Sequence, residues 1–179
     1  GHRQMFSWAK TLCVAVLCAG AANAQETNEA PADATDVVLG PETNLPMPRY
    51  VSLKASEANV RRGPSLTHRI DWVFKRRDMP LQVVAEYGHW RRVIDRDGQG
   101  GWVHYTMLSG SRTVIIDENM MALRTRPDAG APENAVLEAG VIAKLDECSL
   151  TWCWLEAGGY KGWAPKGVLW GVEADEVRE

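Results

Sequence analysis

Few side chains in this sequence have the types and spacing that bond-making chemistry requires. The histidines His68, His89 and His104 are scattered, without the His-x-x-x-His or Cys-x-x-Cys spacing typical of zinc sites. Asp95 and Asp97 are one possible acid pair, but they flank an Asp-Gly turn, where carboxylates are expected to be solvated. Neither a Gly-x-Ser-x-Gly nucleophile elbow nor a glycine-rich phosphate loop occurs. The sequence therefore predicts no catalytic residue, no metal site and no cofactor.

The first 24 residues (1–24) have the pattern of a short upstream extension followed by a secretory signal peptide. Lys10 supplies a positive charge, residues 11–22 are mostly apolar, and an Ala-Asn-Ala cleavage site precedes Gln25. The alternatives are a buried helix, a membrane anchor or lipid attachment at Cys18. The apolar run is shorter than the roughly 20 residues that span a bilayer. We therefore predict cleavage, export, and no membrane span in the mature chain.

Two of the four cysteines, Cys148 and Cys153, remain after this cleavage. Export places them in an oxidising compartment, where an even pair of cysteines usually forms a disulfide. Their spacing, with four residues between them, fits a short hairpin whose ends face each other. The alternative is a reactive or metal-binding thiol, but no histidine lies in their half of the mature chain to activate one. We predict a structural disulfide.

Both flanks of the mature chain are acidic. Residues 25–49 are rich in proline, acidic and small residues, and are predicted to be a flexible linker because they hold too few apolar side chains to pack alone. Residues 172–179 are predicted to be an acidic tail. The structured part of the chain is therefore expected to lie between residues 50 and 171.

This central part contains an internal repeat of about sixty residues, as the recurrence of its landmarks shows. The repeat predicts two small domains, 50–110 and 111–171, with almost no linker between them. The paired landmarks are Asn59-Val60-Arg61 with Ala122-Leu123-Arg124, Trp90-Arg91-Arg92-Val93 with Trp152-Cys153-Trp154-Leu155, Gly101-Trp102-Val103 with Gly162-Trp163-Ala164, and Leu108-Ser109-Gly110 with Leu169-Trp170-Gly171.

Each repeat consists of short apolar segments with the two-residue period of β-strands, separated by turn signals such as Asp97-Gly98 and Gly158-Gly159. No sustained helical pattern follows the leader. Short strands in units of this size are best accommodated by a small, nearly closed barrel, which leaves few exposed strand edges. The predicted fold class is all-β, with two tandem barrels.

The landmarks of the first repeat resemble those of the bacterial SH3 (SH3b) domain. They are Asn59-Val60-Arg61-x-Gly63-Pro64-Ser65, Trp90-x-x-Val93, Gly101-Trp102-Val103 and Leu108. The second repeat is similar to SH3-like domains of exported bacterial proteins. It departs from the family at Arg126 and Asp128, where glycine and serine are usual. The resemblance covers residues 50–171 and implies two tandem SH3-like domains.

The resemblance also implies a function, because SH3b domains are associated with cell-wall peptides. It leads us to expect a non-catalytic binding module in the periplasm, whose partner is peptidoglycan or an envelope protein. The expected ligand site is a groove near Trp90, Trp102 and Tyr105, with Arg76 and Arg77 contributing charge. The tryptophans have a structural alternative as core and rim residues of the barrels.

The charge distribution and the missing motifs bear on two other possible functions of the protein. Residues 50–110 hold ten Lys/Arg against six Asp/Glu, so a protein–protein scaffold with a basic face is the alternative. A small hydrolase is the least supported, since the sites it needs are missing. Nucleic-acid binding requires a dominant basic surface and is not predicted for a chain of net charge -3. The basic face would be formed by seven of these ten residues, Arg61, Arg62, Lys75, Arg76, Arg77, Arg91 and Arg92.

Overall fold

The computed structural model describes residues 36–179, which form one compact unit built almost entirely from β-strands. The predicted signal peptide, residues 1–24, and the first part of the predicted linker lie outside the described residues. Within residues 36–179, no helix is both long and apolar enough to cross a bilayer. The strands form one two-stranded sheet and two seven-stranded antiparallel sheets, and each large sheet corresponds to one sequence repeat.

The first repeat folds into a sheet of seven strands, which are β3 (Arg49–Leu53), β4 (Ala58–Arg61), β5 (Ile70–Phe74), β6 (Pro80–Tyr87), β7 (Trp90–Ile94), β8 (Gly100–His104) and β9 (Leu108–Ser109). Their order in the sheet is β5-β4-β8-β7-β6-β3-β9. Strands β5 and β9 therefore lie at its two edges. A 3₁₀ turn, Tyr105–Met107, leads into β9.

The strands of the second repeat are β10 (Thr113–Ile116), β11 (Met121–Arg124), β12 (Glu133–Leu137), β13 (Ile142–Cys148), β14 (Trp152–Ala157), β15 (Tyr160–Pro165) and β16 (Leu169–Trp170). They have the same connectivity as the first repeat, with the order β12-β11-β15-β14-β13-β10-β16. The 3₁₀ turn Lys166–Val168 again precedes the last strand. The predicted all-β architecture of two tandem SH3-like barrels is confirmed.

Each barrel has its own apolar core, supplied by alternate residues of its strands. The alternation is plain in β14, where Cys153, Leu155 and Ala157 are buried and the residues between them are half-buried. Glycine supplies the left-handed backbone at the two predicted hairpin turns. Gly98 has a φ of 81° and Gly159 a φ of 83°, so both predicted hairpin turns are present.

The disulfide between Cys148 and Cys153 is present and confirms the prediction. The two residues are direct cross-strand partners of β13 and β14. The bridge therefore closes the tip of one hairpin, as the spacing in the sequence indicated.

The segment before the first barrel differs from the predicted flexible linker. Residues Val38–Leu39 (β1) pair with Pro46–Met47 (β2), and the loop between them packs against Glu86. We call residues 36–47 the N-terminal strap. The part of the predicted linker over residues 38–49 therefore carries strands, and the N-terminal strap is held by contacts with the barrel and not by an apolar core of its own.

The Glu86 carboxylate is the anchor of the strap. Its side chain is fully buried, accepts hydrogen bonds from the Glu42 and Thr43 backbone amides (2.9 and 3.0 Å) and the Thr43 hydroxyl (2.6 Å), and pairs with Arg49 at 2.8 Å. Burial alone would raise the pKa of Glu86. The hydrogen bonds from Thr43 and Glu42 and the Arg49 cation outweigh burial, and they hold that pKa at about 2.

The predicted acidic tail, residues 172–179, folds back onto the second barrel. Val172 is buried, and Arg178 exchanges two backbone hydrogen bonds of 3.0 Å with Cys148. Glu176 accepts two hydrogen bonds from Arg112, which lies just before β10. The tail is thus acidic in composition, and the contacts of Arg178 and Glu176 hold it against the second barrel.

The two barrels also contact each other directly. The Thr113 hydroxyl, at the start of β10, donates a 2.6 Å hydrogen bond to the carbonyl of Asp78 in the first barrel. Arg96 of the β7–β8 turn lies 3.0 Å from Asp117 of the second barrel. The short connection after β9 is therefore supported by side-chain contacts on both sides.

Candidate groove of the first barrel

The outward face of strands β7 and β8 carries the predicted aromatic residues. The alternation of β7 turns Arg91 and Val93 inward, which leaves Trp90 on the outward face. Antiparallel pairing then sets Trp90 opposite His104 and Arg92 opposite Trp102. The two tryptophans are therefore diagonal neighbours on one face, as the prediction of a shared aromatic surface requires.

A glycine sets the position of Trp102. A Cβ at Gly101 would lie 2.6 Å from the Arg61 carbonyl oxygen and 3.0 Å from Val60 Cγ1, so only glycine lets β4 approach β8 this closely. In the resulting pairing Arg61 lies opposite Trp102. The Gly-Trp landmark in the sequence therefore reflects a backbone contact that brings Arg61 to the aromatic face.

An open groove of about 290 Å³ lies along this surface. One wall is Trp90 with His104, whose rings pack edge to face with centroids 5.4 Å apart. The opposite side comes from β4 and the loop that follows it, and Met107 of the 3₁₀ turn adds an apolar side chain. The lining residues are Glu57, Ala58, Asn59, Arg61, Leu66, Trp90, His104 and Met107.

Tyr105 extends the aromatic surface beyond the groove. Its ring centroid lies 5.1 Å from that of His104 and 5.6 Å from that of His89. His104 is oriented by a 2.8 Å hydrogen bond between its Nδ1 and the Thr106 hydroxyl. Of the predicted residues, Trp90 lines the groove and Tyr105 packs against His104 beyond it, whereas Trp102 lies on the same face but does not line the groove.

The groove carries polar groups of both charge signs. The Arg61 guanidinium donates hydrogen bonds to the carbonyls of Leu66 (3.1 Å) and His68 (2.9 Å), which holds the loop over residues 62–69 against the barrel. Glu57 lines the groove as its acidic residue and is exposed. An arrangement of apolar walls with a few oriented polar groups is typical of ligand-binding sites.

Arg76 and Arg77, the charged residues of the predicted ligand site, do not line the groove. Arg76 lines a separate depression with Asp95 and Asp97, at the end of β7 opposite to Trp90. The two ends of this five-residue strand are about 13 Å apart. Arg77 donates a 2.6 Å hydrogen bond to the Lys54 carbonyl.

The expected single basic face is also divided. Arg91 is buried and donates to the carbonyls of Gly88 and Trp90 (2.8 and 2.9 Å), close to the Glu86 carboxylate. Arg62 pairs with Asp71 at 3.2 Å. The sequence did not show which of these side chains turn inward, because Arg91 occupies a position where the strand period predicts an apolar residue.

The profile of the bacterial SH3 domain matches residues 54–110 and again residues 117–171. The chain belongs to the bacterial SH3 domain family. Bacterial SH3 domains are generally binding modules, and the groove described above lies in the first SH3 domain of this chain. No curated protein sequence matches the chain significantly.

Solved structures similar to this SH3 protein include two proteins from Trichomonas vaginalis, NlpC2 and NlpC1. NlpC2 is 12% identical over 69% of this chain and 48% of its own, with a TM-score of 0.33. NlpC1 is 12% identical over 73% of this chain and 48% of its own, with the same TM-score. The aligned part of the chain thus spans about half the length of these structures.

The second SH3 domain has a different surface at the equivalent place. Trp154 and Trp163 are direct cross-strand partners that pack edge to face, with centroids 5.5 Å apart. They occupy the positions of Arg92 and Trp102. Pro165 stands where the first SH3 domain has His104. The framework is therefore shared, whereas the side chains that line the groove are not.

Residues 36–179 contain no group of three or more His, Cys, Asp or Glu side chains arranged to hold a metal ion. Of the eight lining residues, sequence reasoning named only Trp90 for the site and Arg61 for the basic face, and the residues it missed include His104 and Glu57. His104 follows the Gly-Trp-Val landmark by one residue, so the alternation of β8 could have placed it beside Trp102 on the outward face.

Proposed function

We propose that this SH3 protein is an exported, non-catalytic binding protein whose first SH3 domain holds a peptide of the cell wall. The observation that carries the proposal is the groove between the residue 62–69 loop and strands β7 and β8. It combines an aromatic wall, Trp90 with His104, with one acidic and one basic residue, Glu57 and Arg61. A peptide with alternating apolar and charged groups matches this lining.

The shape of the groove supports a peptide more than a compact small molecule. It is open, and its aromatic surface continues through Tyr105 past the groove itself. Tryptophan and tyrosine offer large contact areas at a low cost in side-chain entropy, which suits recognition of an extended chain. The family supports the same reading, since bacterial SH3 domains often bind peptidoglycan.

Export to the periplasm is part of the proposal. The Cys148–Cys153 disulfide supports it, because disulfides persist in oxidising compartments and are rare in the cytosol. The leader pattern of residues 1–24 points the same way. The fate of the leader is testable by mass spectrometry of the protein recovered from cells, with an N-terminus at Gln25 as the expected result.

The wall proposal is tested by co-sedimentation of the protein with purified peptidoglycan sacculi over a series of salt concentrations. Binding should persist at high salt, because the aromatic contacts are not screened as exposed charges are. Trp90→Ala should abolish the binding. Trp152→Ala, which removes the equivalent half-buried tryptophan of the second domain, is the matched control and should bind as the wild type does.

Three results would count against the wall proposal. A folded Trp90→Ala variant that sediments with sacculi like the wild type would remove the groove from consideration. Binding to envelope proteins that disappears at high salt would favour the scaffold alternative, whose contacts are exposed charges screened over about 10 Å at 0.1 M salt. Release of soluble fragments from sacculi would favour a hydrolase.

A further inference from the structure

The edge of the first SH3 domain carries apolar side chains that the barrel does not bury. Ile70, Trp72 and Val73 of β5 are 41%, 44% and 39% exposed. Strand β5 pairs with β4 on one side only, so its other side presents unpaired backbone N–H and C=O groups within the described residues. Exposed apolar edge strands are templates for pairing with another chain.

The second SH3 domain shows that the fold does not need Ile70 or Trp72, whereas Val73 has a counterpart in the exposed Val136. In both domains the edge strand pairs with the same register and the same bulge, so Ile70 corresponds to Glu133 and Trp72 to Ala135. The equivalent strand β12 folds with an acidic and a small residue at these two positions. Ile70 and Trp72 are therefore additions to a framework that is complete without them.

Positive charge brackets this edge at both ends. Arg69, 65% exposed, precedes β5, and Lys75, Arg76 and Arg77 follow it. None of the last three forms an ion pair within residues 36–179, and all three are exposed. Inside the strand, Asp71 is engaged by Arg62 and Arg69. A strand paired here would have one end beside three cations that form no ion pair in the described residues, and the other end beside Arg69, whose charge is shared with Asp71.

This charge pattern disfavours a second copy of the chain paired in the register centred on Trp72. A symmetric antiparallel pair of β5 strands centred on Trp72 would set Arg69 opposite Lys75 of the other copy at both ends. Like charges directly opposite each other destabilise a strand pair. An extended segment with acidic ends meets the same cations favourably.

We propose that strand β5 is a second binding site, which adds an extended segment of another protein as a new edge strand. The segment has alternating apolar side chains at its centre, to cover Ile70 and Trp72, and acidic residues at its ends. Backbone hydrogen bonds supply the pairing and the side chains supply the selectivity. This site is distinct from the groove at Trp90 and does not depend on what the groove binds.

The test uses a fluorescent peptide with an alternating Val-Thr core and two glutamates at each end, titrated with the full chain. The decisive variant is Ile70→Glu with Trp72→Ala, which gives β5 the residues that β12 already carries and is therefore expected to fold. It should weaken binding about tenfold or more. Tyr160→Ala, an exposed aromatic of the second domain, is the control and should bind normally.

Two further peptides test the mechanism. Exchanging the terminal glutamates for lysines should weaken binding, and methylating the backbone nitrogens on one edge should abolish it. Unchanged binding to the Ile70→Glu, Trp72→Ala variant, or loss of binding in Trp90→Ala alone, would overturn the proposal. So would a concentration-dependent dimer in sedimentation that the same double variant abolishes, because it would make a second copy the occupant.

Discussion

Tyr50 of the first SH3 domain packs edge to face against Trp170 of the second, with ring centroids 5.3 Å apart. The Arg112 guanidinium lies over the same tyrosine at 5.5 Å and is itself held by Glu176 at 2.7 and 3.0 Å. Burial, with the nearby Glu173 carboxylate, raises the pKa of Tyr50. An aromatic pair and a fixed cation therefore join the domains where the chain passes from one to the other.

This contact predicts that the two domains unfold together. Trp170→Ala removes the aromatic pair and should lower the stability by about 3 kcal/mol, as is typical when a large aromatic is truncated. The loss should also uncouple the domains, so that two thermal transitions replace one. Differential scanning calorimetry measures both effects. Two separate transitions in the wild type would show that the Tyr50–Trp170 contact does not couple the domains.

Gly101 is predicted to be intolerant of even a methyl group. Gly101→Ala forces a Cβ to within 2.6 Å of the Arg61 carbonyl oxygen, which must push β4 away from β8. Overpacking of this kind costs about 2 kcal/mol. Gly110→Ala, where an added Cβ has nothing within 4 Å, is the control and should change stability by less than about 0.5 kcal/mol. Urea unfolding of both variants provides the comparison.

The Glu86 anchor predicts a loss of stability in acid. Because the pKa of Glu86 is lowered to about 2 in the folded protein, its contribution is complete above the ordinary value of about 4.5 and is lost as the pH falls from there towards 2. The contribution amounts to at most about 3 kcal/mol. Urea unfolding between pH 7 and pH 3 should show this decline in the wild type and a shallower one in Glu86→Gln.

Glu86→Gln should also release the N-terminal strap at neutral pH. The Glu42 and Thr43 amides, which donate to this carboxylate, should exchange their hydrogens faster while the amides of β7 stay protected. Glu138→Gln, at an exposed site in the second domain, is the control. If the strap amides remain as protected as in the wild type, the carboxylate is not what holds the strap.

The disulfide is predicted to stabilise the second domain locally. Closing so short a loop contributes about 2 kcal/mol, and the double substitution Cys148→Ser with Cys153→Ser should remove it. The Arg178 amide, which donates to the Cys148 carbonyl, should lose protection in the same variant. Binding to sacculi should not change, because the groove lies in the other domain. A loss of wall binding with the first domain still folded would contradict this separation.

The framework of the protein could be predicted from the sequence because its determinants are local. Gly101-Trp102 and Gly162-Trp163, the glycine turns and the two cysteines act on neighbouring strands and recur at a fixed spacing. The aromatic part of the groove followed from the same landmarks. The charged part of the groove did not follow, because Glu57 and Arg61 line it whereas Arg76 and Arg77 do not, and only the folded sheet shows which charged residues lie beside Trp90.

The N-terminal strap escaped prediction for a related reason. Residues 36–47 have few apolar side chains, and the carboxylate that holds them, Glu86, lies more than forty residues along the chain from Thr43. A single buried acid gives no periodic signal in sequence. Arg91 is a comparable case, since its cation is buried among carbonyls at a position that strand alternation assigns to an apolar side chain.

The presence of the same framework twice lets one backbone plan carry two different surfaces. An added Cβ would collide with the facing strand at both Gly101 and Gly162, so neither position has room for a side chain. The outward positions are under no such constraint. Arg92 corresponds to Trp154, His104 to Pro165, and Trp72 to Ala135. A ligand that fits the surface of one copy is therefore not expected to fit the other.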